Sequence, residues 1–313
     1  MKTRQRARTK FLKGGWLLGV LVIISVGRFL SAPPAEESQE KKGLFVLATV
    51  LPLYEFAASL AGEKLTVELW LPPGSSPHYW QPRASDLRGL ERADVLVYIG
   101  ASLEPWVPDL LRSVKNQNLK VVSFEDLAFL RDEEKPEEVD PHIWLDFSLD
   151  LQIIDRLAST FSQLRPELDA HFAAKAVAYK NKLIELDRLY QQTISSCKQR
   201  LLIIAGHAAF SYLARRYGLE QVSLEGINPE AEARPKQLSR VLEIIEKKKI
   251  KAIFFDAASR PRLPLQLFRK TELKFLPLYS GHNLGAQEKA AQKSFLDLMR
   301  ENLERLKEGL GCE

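Results

Sequence analysis

Short runs of aliphatic residues alternate along this chain with segments whose apolar positions recur every three or four residues. The short runs are rich in valine, isoleucine and leucine and are bounded by glycine, proline or charge, as is typical of buried strands. They lie at Leu44–Thr49, Leu65–Leu71, Val95–Ile99, Leu119–Ser123, Leu201–Ala205, Gln221–Leu224, Ile250–Phe255 and Leu273–Tyr279.

The segments between these runs have helical spacing. They predict helices at Leu53–Leu60, Ser85–Arg92, Pro105–Val114, Ala208–Tyr217, Pro235–Lys249, Pro264–Lys270 and Gln287–Leu310. Strands that alternate with helices favour a parallel sheet covered on both faces. The predicted fold class is therefore α/β, with two lobes that are each a mainly parallel sheet flanked by helices.

A longer helical segment separates the two halves. Pro166 suits a first helical position, and no further glycine or proline occurs before Gly206. One apolar stripe follows, formed by Leu168, Phe172, Ala176, Tyr179, Leu183, Leu186, Tyr190 and Ile194. A helix over residues 166–195 would be about 45 Å long, too long for a crossover within one sheet. We predict an N-terminal lobe over 44–165, a rigid connecting helix over 166–196 and a C-terminal lobe over 197–313.

The N-terminus has the composition of an export signal. Seven basic residues precede the first acidic residue, and their summed charge exceeds the net charge of +5 of the whole chain. They are Lys2, Arg4, Arg6, Arg8, Lys10, Lys13 and Arg28. The rest of the chain is slightly acidic, which gives no support to nucleic-acid binding. The apolar run Trp16–Val26 is shorter than the roughly 20 residues of a membrane span. Residues 1–32 are thus predicted to be a signal peptide or an uncleaved signal-anchor, and 33–43 a linker. The protein is expected to be periplasmic or otherwise extracytoplasmic.

Three histidines have settings that suggest a shared role. His78 and His142 each follow a proline directly and are separated from a tryptophan by one residue. His207 comes just after the predicted strand that ends at Ala205. Their long, similar separations mean that only the global fold could gather them. Open α/β sheets bind ligands beyond the carboxyl ends of their strands. Three neutral imidazoles suit zinc, so we predict a zinc site in the cleft between the lobes.

Other polar residues have less specific settings. Asp140 and Asp146 could orient ligand imidazoles or simply solvate their loop. The tryptophans could limit solvent access to the imidazoles or pack at the edge of a lobe. His171 is expected to be exposed on the connecting helix, and Glu104 to belong to the first turn of a helix.

The sequence lacks the common catalytic motifs. It has no phosphate-binding loop, no Gly-x-Ser-x-Gly elbow and no His-Glu-x-x-His segment. Its two cysteines, Cys197 and Cys312, are not spaced as a metal or redox motif. In an exported chain they could form a disulfide that ties the final helix to the second lobe, or remain free thiols; we predict the disulfide.

Several segments, in this order, resemble the zinc/manganese substrate-binding proteins of ABC transporters. The resemblance extends from about Leu44 to the C-terminus. The segments that carry it are Ala48–Tyr54, Pro72–His78, Ala93–Gly100, Asp140–Asp146 and Gly206–Tyr212.

This resemblance implies a monomeric, non-catalytic receptor with one metal ion in the cleft. Such a receptor delivers its metal to an ABC transporter permease that is driven by a cytoplasmic ATPase. Carried over by motif, the ligands are His78, His142 and His207. Members that prefer manganese tend to have glutamate where this chain has His207. Zinc is therefore the expected cargo, with manganese as the alternative.

The chain departs from the family pattern in two places. An acidic stretch before Asp140 replaces the histidine-rich loop of many zinc-binding members. The aspartate that usually supplies the fourth ligand after the last strand is missing. His282 is our first candidate for that position, ahead of water and then Asp256. A three-histidine site with an open fourth position would also suit a zinc metallohydrolase, although the sequence offers no convincing general base.

Overall fold

The computed structural model describes residues 43–131, 138–227, 235–258 and 272–313. The predictions made for the leader, for the linker before Gly43, for most of the acidic stretch and for a helix at Pro264–Lys270 concern residues outside these ranges. Residues 42–313 belong to one compact unit.

Two four-stranded parallel sheets form the framework of the described chain. The first has the order β2-β1-β3-β4 and the second the order β6-β5-β7-β8, so both halves repeat one topology. The strands are β1 (Phe45–Ala48), β2 (Thr66–Leu69), β3 (Val95–Tyr98), β4 (Lys120–Ser123), β5 (Leu201–Ile204), β6 (Glu220–Ser223), β7 (Ala252–Asp256) and β8 (Lys274–Leu278). All eight predicted strands are present, and the predicted α/β fold class is confirmed.

Helices flank these sheets. They are α1 (Leu51–Ala61), α2 (Ala84–Arg92), α3 (Val107–Ser113), α4 (Phe147–Leu164), α5 (Asp169–Ser195), α6 (Ser211–Arg216), α7 (Pro235–Lys248), α8 (Ala286–Ala290) and α9 (Phe295–Leu310). The sequence pattern did not predict α4. The single helix predicted at Gln287–Leu310 is two helices, because Ser294 and Asp297 form a capping box that starts α9.

Helix α5 is the predicted connecting helix. Its 27 residues follow a short 3-10 turn, Pro166–Leu168, and make a rod about 40 Å long. Seven residues of the predicted apolar stripe, Phe172, Ala176, Tyr179, Leu183, Leu186, Tyr190 and Ile194, are buried. The stripe packs against α1 and α4 of the first half and α9 of the second. One hydrophobic core therefore runs from the first sheet to the second and holds the two halves together.

His171 lies beside the end of α1 rather than in solvent. It is half-buried, and its Nε2 lies 3.1 Å from the carbonyl oxygen of Leu60 and 3.2 Å from that of Ala61. The last carbonyls of a helix lack partners within the helix, and the imidazole N–H can donate to them. The prediction of an exposed His171 is therefore wrong.

A disulfide joins Cys197 to Cys312, as predicted. It ties the residues that follow α5 to those that follow α9. Closing a loop with a sequence separation of 115 residues stabilises the fold by about 5 kcal/mol in the chain-entropy model. Among the helices of the described ranges, none is both long enough and apolar enough to cross a membrane.

Candidate metal centre

The three predicted ligands meet at one point, although they come from three distant loops. His78 follows β2, His142 lies between β4 and α4, and His207 follows β5. Each offers one ring nitrogen, and these three nitrogens lie within 4.8 Å of one another. The ring centroids of His142 lie 5.5 Å from those of both His78 and His207, and the His78 and His207 centroids are 6.3 Å apart.

Asp140 fixes the orientation of His142. The Nδ1 of His142 donates to Asp140 Oδ1 at 2.8 Å, and the backbone N–H of His142 donates to the same oxygen at 3.0 Å. Both residues are fully buried. Because Nδ1 is occupied by the carboxylate, Nε2 is the ring nitrogen left to bind a metal, and it has no hydrogen-bond partner among the described residues.

Asp146 has a different role from Asp140. Its Oδ1 accepts from the backbone N–H of Ser148 at 2.9 Å and thereby caps α4. The same oxygen accepts from Arg216 Nη1, also at 2.9 Å. The alternative that Asp146 orients a ligand imidazole is therefore wrong, and this residue instead anchors the start of α4 to α6.

The two tryptophans of the Pro-His-x-Trp segments also differ. Trp144 packs edge-on against His142 with a centroid distance of 5.4 Å, and its Nε1 donates to Ser280 O at 2.7 Å. Trp80 packs instead against Trp70 and Trp106. Of this second group, Trp106 supports the site, because its Nε1 donates to the carbonyl of Pro77, next to His78, at 2.8 Å.

His207 and Asp256 form the side of the site that belongs to the second sheet. Neither ring nitrogen of the buried His207 has a hydrogen-bond partner within the described ranges. Its Nε2 lies 4.0 Å from Asp256 Oδ2. Asp256 is the last residue of β7, and its Oδ1 accepts from the backbone N–H groups of Ala258 and Ser280. The second carboxylate oxygen, Oδ2, is left without a hydrogen-bond partner among the described residues.

His282 lies next to the three-histidine group but is not a member of it. Its ring is buried, and its Nδ1 lies 2.8 Å from Ser280 Oγ. The surrounding loop is attached to the first half. The carbonyl of His282 accepts from Leu51 N at 2.9 Å, and Asn283 Nδ2 donates to Pro72 O at 2.7 Å. The sequence pattern drew attention to His282 but gave no sign of these contacts.

Three imidazoles of this centre, those of His78, His207 and His282, have pKa values lowered by burial. Burial, reinforced by the neighbouring imidazoles, lowers the pKa of His78 to about 2. Burial also lowers the pKa of His207 and of His282 to about 4, although the Asp256 charge opposes this shift at both residues. Neutral imidazole is the form that binds metal. The lowered pKa values therefore keep His78, His207 and His282 in the form that can donate a ring nitrogen to a metal.

Glu104 lies outside this donor set and stabilises the first half. It is fully buried and accepts hydrogen bonds from Thr49 Oγ1 at 2.5 Å and from the backbone N–H groups of Ile99 and Gly100. Desolvation raises its pKa to about 7. Glu104 therefore ties the loop after β3 to the end of β1, a role that the prediction of first-turn helix chemistry did not include.

A family model described as the periplasmic component A of a zinc-uptake complex matches residues 46–309. The zinc-binding lipoprotein AdcA of Streptococcus pneumoniae is 29% identical over 301 residues, which cover 92% of this chain and 60% of AdcA. This chain thus spans about 60% of the length of that curated relative. The high-affinity zinc uptake system protein ZnuA of Bacillus subtilis is 27% identical over 303 residues, which cover 93% of this chain and 94% of that protein.

Solved structures give the same result for the fold. The crystal structure of the Zn(II)-bound ZnuA-like domain of S. pneumoniae AdcA has a TM-score of 0.73 and 30% identity, and covers 86% of this chain and 99% of that one. The structure of S. pneumoniae AdcAII has a TM-score of 0.77 and 28% identity, with 86% and 100% coverage. The family resemblance drawn from the sequence motifs is confirmed.

Proposed function

The chain belongs to the family of periplasmic components A of zinc-uptake complexes, and on that premise we propose that it is a zinc receptor for an ABC importer. The receptor binds Zn²⁺ outside the cytoplasm with high affinity and releases it unchanged to a membrane permease, which a cytoplasmic ATPase drives. The relatives named above are described as zinc-binding or zinc-uptake proteins, which favours this function over a zinc metallohydrolase.

One observation above all supports the proposal. Three buried or half-buried imidazoles each place a ring nitrogen within 4.8 Å of the others, and His78, His142 and His207 all retain a nitrogen without a hydrogen-bond partner among the described residues. Leaving buried polar atoms unpaired is unfavourable for a folded protein. A Zn²⁺ ion bound by the three nitrogens would satisfy all of them at once.

We assign the fourth coordination position to His282, with water and then Asp256 as the alternatives. His282 is near enough for its charge to lower the pKa of both His78 and His207. A small movement of the loop around Gly281, whose φ is 78°, would bring its ring into the group. Because manganese prefers oxygen donors, a site of four imidazoles favours zinc over manganese.

The remaining parts of the proposal concern the whole protein. Residues 1–32 export the chain as a signal peptide or anchor it uncleaved, and 33–43 are a linker. Residues 44–165 and 197–313 are the two lobes, and 166–196 the connecting helix. The receptor acts as a monomer, and movement of the lobes accompanies zinc release.

Elemental analysis of the purified protein, combined with competition between Zn²⁺ and Mn²⁺, tests this function. We expect one Zn²⁺ per chain and displacement of Mn²⁺ by Zn²⁺. Preferential retention of Mn²⁺ would make the protein a manganese receptor. Turnover of generic ester or phosphate substrates by the zinc-loaded protein would instead favour a metallohydrolase.

A further inference from the structure

Asp256 is a buried carboxylate in an unusual setting. Only 1% of its surface is exposed, and its Oδ2 has no hydrogen-bond partner in the part of the chain that the structure describes. The other oxygen is held by the backbone N–H groups of Ala258 and Ser280, at 3.1 and 3.3 Å. These two bonds fix the position of the carboxylate and direct its free oxygen toward His207 Nε2, 4.0 Å away.

The charge of this carboxylate matters because a bound divalent ion needs negative charges nearby. Neutral imidazoles contribute no charge, so a Zn²⁺ ion held by histidines alone would place two positive charges in a buried site. Burying an uncompensated charge is strongly unfavourable. The first half supplies one compensating carboxylate, Asp140, which is hydrogen-bonded to His142. The second half supplies Asp256, which lies against His207 and whose charge also acts on His282.

We propose that Asp256 is a specificity-determining residue whose carboxylate provides the second negative charge that balances a divalent cation. The site would thereby select Zn²⁺ over monovalent ions that also bind imidazole. This inference rests on the proposed zinc-receptor function and extends it. Together the two carboxylates balance a divalent ion. A monovalent ion would leave one buried negative charge uncompensated.

Asp256 acts through charge and not as a ligand. It is not part of the group whose donor atoms lie within 4.8 Å of one another. Coulomb energy is proportional to the charge of the ion. Removing the carboxylate should therefore weaken the binding of Zn²⁺ more than that of a monovalent ion. A purely structural role would weaken both equally.

The experiment compares Zn²⁺ with Ag⁺, a monovalent closed-shell ion that imidazole also binds, in chloride-free buffer. In the full-length protein, Asp256→Asn keeps an oxygen to accept from the two backbone N–H groups but removes the charge. We expect Zn²⁺ affinity to fall about 100-fold, in the range typical of residues that support metal ligands. Ag⁺ affinity should fall only about 10-fold, because its charge is half as large. Asp256→Glu, which keeps the charge, should restore most of the preference for Zn²⁺.

Asp150→Asn is the matched control. Asp150 is also fully buried, and neither of its carboxylate oxygens has a hydrogen-bond partner among the described residues. It lies in α4, which contributes no ligand to the three-histidine group, and desolvation raises its pKa well above the usual value. Both ion affinities should stay at the wild-type value in this variant.

The outcomes separate the inference from the proposed function. Equal losses for Zn²⁺ and Ag⁺ in Asp256→Asn, or no loss for either, would overturn the specificity role while leaving the zinc receptor intact. A changed visible spectrum of the Co²⁺-substituted variant would make Asp256 a ligand and would also overturn it. If Asp256→Asn does not fold, Asp256→Glu decides the matter, since loss of the Zn²⁺ preference in a folded, still charged variant contradicts the proposal. Failure of wild-type protein to bind Zn²⁺ would overturn both.

Discussion

His142 and His207 belong to the same site but are held in very different ways. In the first half, Asp140 accepts from Nδ1 of His142 at 2.8 Å, and the edge of Trp144 packs against the ring. In the second half, neither ring nitrogen of His207 has a hydrogen-bond partner within the described ranges, and Asp256 lies 4.0 Å away. The first half therefore presents a ligand that a hydrogen bond orients, whereas the second half presents one that no hydrogen bond to a described residue orients.

This difference matters for the proposed zinc receptor, which must both bind and release its metal. Preorganised ligands favour tight binding because little freedom is lost when the ion arrives. We therefore expect the hydrogen bond between His142 and Asp140 to strengthen Zn²⁺ binding and to slow Zn²⁺ release.

The largest effects should come from removing the imidazoles themselves. We expect His142→Ala and His207→Ala each to weaken Zn²⁺ binding by about 1,000-fold or more, since each removes one of a few ligands to the ion. Competition with a zinc chelator measures this loss. His171→Ala is the control, because this half-buried histidine supports the end of α1 and should leave zinc affinity unchanged. Wild-type affinity in either site variant would remove that residue from the site.

A smaller effect should follow from loosening the preorganised ligand. In Asp140→Asn, the Nδ1 of His142 loses its negatively charged acceptor, while the imidazole itself is retained. We expect Zn²⁺ affinity to fall about 10- to 100-fold, and dissociation of Zn²⁺ measured by stopped-flow to become faster. Asp126→Asn, at a surface ion pair with Arg156, provides a matched control. An unchanged dissociation rate in Asp140→Asn would contradict the difference between the two halves.

The sequence predicted most of the framework because aliphatic runs and helical periods are local signals. Helix α4 was missed because the apolar residues Ile143, Trp144, Leu145 and Phe147 form an almost continuous run that hides the helical period at its start. The side chain of Asp146, which caps α4, was the available signal. The end of α8 was missed because Ala291, Gln292 and Lys293 have helical composition, although the φ of 52° at Gln292 breaks the helix.

The candidate site was predictable only in part. His78, His142 and His207 stand out through their positions after strands and prolines. Asp256 was a candidate for the fourth position because it follows a predicted strand, but its distance from His207 depends on the order in which β5, β7 and β8 lie side by side. The same holds for Trp106, which reaches the carbonyl of Pro77 from a separate part of the first half.

Removing the His282 imidazole should have a smaller effect on Zn²⁺ affinity than removing His142, His207 or the Asp140 carboxylate. We expect His282→Ala to weaken Zn²⁺ binding about 10-fold, because a water can take the open position of a zinc site with three protein ligands. The preference for Zn²⁺ over Mn²⁺ should fall as well, since an oxygen donor then replaces an imidazole. Both quantities come from one competition experiment with the two ions. If neither changes, His282 serves only the loop, and a water is left as the fourth ligand unless the Co²⁺ spectrum of Asp256→Asn shows Asp256 to be one.

The smallest effect, and the sharpest test of burial, is the response to acid between pH 7 and pH 5. An ordinary histidine has a pKa near 6.5 and would lose much of its metal affinity over this range. Burial lowers the pKa of His207 and His282 to about 4 and that of His78 to about 2. At these three histidines protons therefore compete with Zn²⁺ only near pH 4 and below, first at the two of the second half.

We accordingly expect protonation of these three histidines to change the Zn²⁺ affinity less than about 3-fold between pH 7 and pH 5 and to lower it steeply below pH 4. The metal-free protein should show the matching change in stability. A histidine whose pKa is lowered by folding binds protons more readily in the unfolded chain. The free energy of unfolding should therefore decrease as the pH falls from about 6.5 toward 4. Zinc titrations at fixed pH, together with denaturant unfolding of the metal-free protein, measure the two effects. A loss of affinity centred near pH 6.5 would mean that these imidazoles are exposed to water in the form that binds zinc.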